Sequence, residues 1–175
     1  MPEHGSALNA VEVAPPERSL LNVPVWRTLT VGGYSRKELP KIVTKEFRVS
    51  LLGRDLMARP EFVTSATPCT IRLGRARAGD FGFTEAPYTP KFFERLGQYF
   101  YECPPETGPH LRRIYRDQPV GEWLSVFMKP ITDSGGCPRI FVLADYGGLC
   151  LRARAARSEH RWHLAGEIVV RLPDE

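Results

Sequence analysis

The apolar residues change period at Gly121, and that change limits what the chain can fold into. Beyond it they alternate instead of recurring at helical spacing. In residues 122–131, Leu124, Val126 and Met128 fall on one side and Trp123, Ser125 and Phe127 on the other. Residues 139–145 are apolar on both sides through Ile140, Phe141, Val142 and Leu143, as a central strand is. Residues 149–155 set Leu149, Leu151 and Ala153 against Cys150, Arg152 and Arg154, and residues 167–172 add Ile168, Val169 and Val170. Glycine-rich turns at 132–136 and 146–148 separate the first three runs. The pattern predicts an antiparallel meander of four runs.

Upstream the punctuation is helical. Residues 23–31 read as a strand ended by Gly32 and Gly33. Ser35 and Glu38 have capping-box spacing, but Pro40 moves the expected helix start towards residue 40. A second helix is expected over 50–58 and a strand over 70–77. A third helix begins at Thr89-Pro90, with the Thr89 hydroxyl as its cap and Phe92, Phe93, Leu96 and Tyr99 on its buried face. A fourth is expected over 109–116, with Leu111, Ile114 and Tyr115 inward and Arg112, Arg113 and Arg116 outward. Helices set apart from a meander mean α+β: a C-terminal antiparallel β-meander packed against several short helices, plus an N-terminal strand. Residues 1–22, with Pro2, Pro15 and Pro16 and no apolar period, read as a flexible or extended arm, and residues 23–175 as one α+β domain.

Composition excludes several classes. No apolar run reaches the roughly 18 residues of a membrane span, and the N-terminal residues lack the pattern of an export signal. A reducing cytosol is therefore expected, with Cys69, Cys103, Cys137 and Cys150 as free thiols. Their spacing to His160 and His163 matches no paired zinc pattern, so neither a metal nor a cofactor is expected. The formal charge is +4, and 19 of the 24 cations are arginine. Guanidinium is the better bidentate partner for carboxylate and phosphate.

Five segments, residues 23–31 (VPVWRTLTV), 103–112 (CPPETGPHLR), 116–124 (RDQPVGEWL), 130–134 (PITDS) and 145–149 (DYGGL), together resemble an uncharacterised bacterial family that accompanies mobile DNA, including integron gene cassettes. The likeness runs in order over about residues 23–172. It implies a bacterial accessory gene product and carries no activity, because the family has no established chemistry to transfer.

The residues offer several constellations. Cys103 before a helix holding His110 has the form of an activated thiol, against the ordinary reading of a small buried hydrophobe. Asp133 and Asp145 fall in turns, where aspartate bonds its own backbone. Gly32-Gly33-Tyr34-Ser35 joins a strand to a helix, as anion-binding turns do, but lacks the phosphate-loop spacing. His160 and His163 are set in a polar loop. Arg112, Arg113, Arg116, Arg152, Arg154, Arg157 and Arg161 are candidates for one nucleic-acid face, with Trp162 or Tyr115 stacking on bases. A pocket is expected near His110, Tyr115, Glu122 and Trp123. No nucleophile, base and orienter assemble in sequence, so the leading expectation is a non-enzymatic binding or interaction module that associates with itself. A nucleic-acid binder and a small-molecule protein or enzyme are the alternatives.

Overall fold

The computed structural model describes residues 22–174. The expected arm, apart from residue 22, lies outside them, as does Glu175. Among the described residues, eight strands and four helices form an α+β fold around a mixed sheet. In chain order they are β1 (Arg27–Val31), α1 (Glu38–Glu46), β2 (Arg48–Val49), α2 (Leu51–Ala58), β3 (Cys69–Arg77), α3 (Thr89–Gly97), α4 (Thr107–Ile114), β4 (Trp123–Val126), β5 (Ile131–Thr132), β6 (Pro138–Asp145), β7 (Leu149–Ala155) and β8 (Glu167–Arg171). None of these helices is long and apolar enough to cross a membrane.

The sheet order is β1-β3-β8-β4-β6-β7-β2, with β5 paired to β6. The expected meander is present in β4, β6 and β7, each antiparallel to its neighbour. The fourth run departs from it. After β7 the chain crosses back, and β8 inserts between β3 and β4, antiparallel to the first and parallel to the second. Strand β6 is central and fully buried from Ile140 to Ala144, which explains its two apolar faces.

The helix starts follow local chemistry. At α1 the capping box forms: Glu38 N–H donates to Ser35 Oγ at 3.1 Å, and Ser35 N–H to Glu38 Oε2 at 2.8 Å. Pro40 does not delay the start, because it sits in the first turn, where its missing N–H has no intrahelical acceptor anyway. Ser50 caps α2 by accepting from Gly53 N–H. The expected Thr89 cap is replaced: Thr89 is the first helical residue, and its hydroxyl accepts from Trp162 Nε1 at 2.9 Å. That bond ties α3 to the crossover before β8.

The two faces of the sheet are covered differently. Helix α4 lies against Phe141 of β6 and packs on β1, β7 and α1. On the opposite face, Phe93 of α3 meets Phe127 at 5.3 Å and Trp162 at 5.5 Å. The approach of α4 is close enough to require glycine at 108, where a Cβ would lie 2.7 Å from that of Phe141. Gly108→Ala is therefore expected to cost about 1–3 kcal/mol in chemical denaturation. Gly97→Ala, at a helical position with open space, should be neutral or stabilising by up to about 1 kcal/mol.

Candidate functional site

An open cleft of about 690 Å³ lies between β1, the Gly32-Gly33 turn, the end of α1 and α4. Its wall carries His110 and Arg113 from α4, Arg116 from the segment just beyond it, Tyr34 from the turn and Glu46 from α1. A spacing of three on a helix puts His110 and Arg113 along one side.

The wall is anchored by a buried carboxylate. Glu106, 2% exposed, accepts through Oε2 from Gly32 N–H at 3.1 Å and through Oε1 from Ser65 N–H at 3.0 Å. The same Oε2 lies 3.2 Å from His110 Nε2. A carboxylate oxygen in that bond only accepts, so Nε2 carries the proton and Nδ1 of the neutral ring is the acceptor. Burial lowers the His110 pKa and outweighs the pull of Glu106, and Arg113 lowers it further. Tyr34 packs on His110, with 6.0 Å between ring centroids, and Arg113 Cζ lies 5.4 Å from the centre of the Tyr34 ring. Arg113 Nε is 3.5 Å from Glu46 Oε1, and Arg116 Nη2 is 2.9 Å from Glu46 Oε2.

The anion-binding turn thus already holds an anion. Gly32 N–H donates to Glu106 and Gly33 N–H to Ser65 O. Gly32 has φ +86°, and a Cβ there would lie 2.5 Å from Thr67 O.

The expected pocket residues are separated. Tyr115 and Glu122 do meet, the hydroxyl donating to Glu122 Oε2 at 2.6 Å, but the guanidinium of Arg75 occupies the space between Glu122, Glu167 and Tyr115. Burial pulls Arg75 down, but its bonds to the two carboxylates and the hydroxyl overcome that and raise it above the ordinary arginine value. Burial and the bond to Glu122 push the Tyr115 phenol up. Trp123 lies on the opposite sheet face under Arg152, 5.1 Å from its Cζ. His110 alone of the four lines the cleft.

The seven candidate arginines do not form one face. Arg112 is fully buried, whereas Ile114, expected inward, is 46% exposed. Arg112 donates to Gln118 Oε1 at 2.5 Å, to Tyr115 O, and to Ala144 O and Cys150 O at 3.4 and 3.3 Å. It therefore ties the end of α4 to the β6–β7 hairpin. Arg113 and Arg116 pair with Glu46, and Arg157 reaches Cys137 Sγ and Glu159. Arg152 and Arg154 stand on the far side of the sheet, and Arg161 lies over Tyr88.

Other sequence candidates have local roles. All four cysteines are free. Burial pushes the Cys103 thiol far up, which opposes thiolate formation. Asp133 accepts from Gly135 and Cys137 N–H and pairs with Arg139, while Asp145 accepts from Gly148 N–H, as turn aspartates do. His160 contacts Arg154, and His163 accepts from Ala165 N–H. Among the described residues no group of three or more His, Cys, Asp or Glu is placed to hold a metal. The residue behind the cleft wall to which sequence reading gave no role is Glu106, whose i,i+4 spacing to His110 was the available signal.

Three outcomes follow from these environments. Arg112→Ala should cost about 3 kcal/mol or more by chemical denaturation, because it strands several carbonyls and opens a cavity. Arg113→Ala, on a partly exposed pair, should stay within about 1 kcal/mol. Burial lowers both His110 and His160 in the folded state, so the unfolded chain binds more protons as pH falls through 6.5. Stability should therefore fall between about pH 7.5 and about pH 5.5, and His110→Gln with His160→Gln should flatten that dependence in thermal scans.

No family model, no curated protein and no solved structure matches this chain, so its function is argued from its own side chains.

Proposed function

We propose that the protein is a binding module that holds a small anionic molecule in the cleft between β1 and α4. The observation that carries this reading is His110, set at the cleft wall by the buried Glu106 and flanked by Arg113 and Arg116. A buried, fully bonded carboxylate that orients an imidazole into a cleft fixes the direction of recognition. Nδ1 of His110 accepts from a ligand hydroxyl or N–H, Tyr34 offers a flat face, and the two guanidiniums take the anionic end. Glu46 stands where that anion would bind, as an internal competitor. Each of these groups is a donor, an acceptor or a stacking surface, which supports binding as the role. In the same reading the chain is a bacterial accessory protein of a mobile element that works in the cytosol and associates with itself. The family resemblance and the free thiols support the first two, and the exposed apolar side chains of Leu51, Val120 and Tyr146 the last.

Thermal unfolding with inorganic phosphate, citrate and ribose 5-phosphate as separate probes tests the cleft. At about a hundredfold excess over Kd, one of them should raise Tm by roughly 5 °C or more. Arg113→Ala should abolish the shift, and Glu46→Gln, which frees both arginines, should enlarge it. The reading is overturned if no probe shifts Tm, or if the shift survives in Arg113→Ala.

A further inference from the structure

Arg152 and Arg154 are two residues apart on β7, so both side chains leave the same face of the sheet, about 6.6 Å apart. Phe141 pairs with Ala153, between them, and faces α4, so the arginines face the other way. Arg154 Cζ lies 4.7 Å from the centre of the Trp162 ring. Its Nη1 donates to Ser125 Oγ at 3.1 Å, and its Nη2 is 3.2 Å from His160 Nε2. Arg152 lies over Trp123 and Arg161 over Tyr88, and these two rings are 42% and 48% exposed. Among the described residues none of the three guanidiniums reaches a carboxylate, whereas Arg75, Arg113, Arg116 and Arg139 each do. Burial pulls the Arg154 guanidinium below its ordinary value with no acid to counter it.

Positive charge held by neutral partners at a partly dry surface attracts a polyanion. Exposed indole and phenol rings beside it are platforms for unpaired bases. We infer that this sheet face binds single-stranded nucleic acid, with Arg152, Arg154 and Arg161 on phosphates and Trp123 and Tyr88 stacking on bases. A duplex keeps its bases stacked on one another and leaves the rings unused. This site is separate from the cleft, which lies against α4.

Fluorescence anisotropy with a labelled oligothymidylate over a range of salt concentrations is the test. Binding should weaken as salt rises, and Arg152→Ala with Arg161→Ala should reduce the log–log slope by about 1.4, or about 0.7 per lost phosphate contact. Trp123→Ala should weaken binding about tenfold, and Trp123→Phe should restore most of it. The cleft variant Arg113→Ala should bind the oligonucleotide like the parent chain, so failure at one site does not imply failure at the other. Three results would each overturn the inference: no binding at low salt, equal competition by duplex DNA or polyglutamate, or unchanged affinity in variants whose thermal unfolding shows them folded.

Discussion

A cation buried among neutral oxygens holds the molecule together. The Arg112 guanidinium is fully buried, yet its acceptors are the carbonyls of Tyr115, Ala144 and Cys150 and the amide of Gln118, not a carboxylate. Burial lowers its pKa for the same reason. Withdrawing a charge from water is costly, so the arrangement persists only while several charge-assisted bonds converge on it. Gln118 extends it by donating to Leu143 O. The result pins the last turn of α4 to one end of the β6–β7 hairpin, while Gly108 lets the first turn press on Phe141. Helix α4 is fixed at both ends, and the orientation of His110 and Arg113 follows from that.

How much of this was legible in the sequence depends on the range of the interaction. The boundaries of β7 and the Ser35–Glu38 box are set by neighbouring residues, and they were readable. Arg112 was not. A helical pattern places Leu111 and Tyr115 inward, and it sends Arg112 outward on polarity alone. Two of its acceptors, Ala144 O and Cys150 O, come from strands more than thirty residues further on, and only the tertiary fold supplies them. Thr89 fails for the same reason, because Trp162 claims its hydroxyl from another part of the chain. Of the four expected pocket residues, pattern alone could not tell that Trp123, the first residue of β4, and Glu122 just before it leave opposite faces towards unrelated partners.

Among the described residues, arginines do three kinds of work. Arg112 joins backbone to backbone, and Arg75 gathers Glu122, Glu167 and Tyr115 at the end of the sheet where β4 and β8 begin. A third group lies over aromatic rings on the face away from α4. A count of cations does not separate these roles, and neither does net charge. What separates them is the hydrogen-bond acceptor: backbone carbonyls for Arg112, carboxylates for Arg75, and no carboxylate for the third group. The planar fork of guanidinium serves all three, which ammonium does not.

The placement of β8 has a consequence for how the chain reaches its native state. Among the described residues, β1 and β3 form one half-sheet, β4, β6, β7 and β2 the other, and β8 alone hydrogen-bonds to both. Until residues 167–171 have emerged from the ribosome, the halves have no shared ladder and each presents a raw inner edge. Closure is then a late, long-range event, since β3 must wait some ninety residues for its partner. The nascent protein is most exposed to mispairing during that interval, and the last strand in acts as the keystone of the sheet.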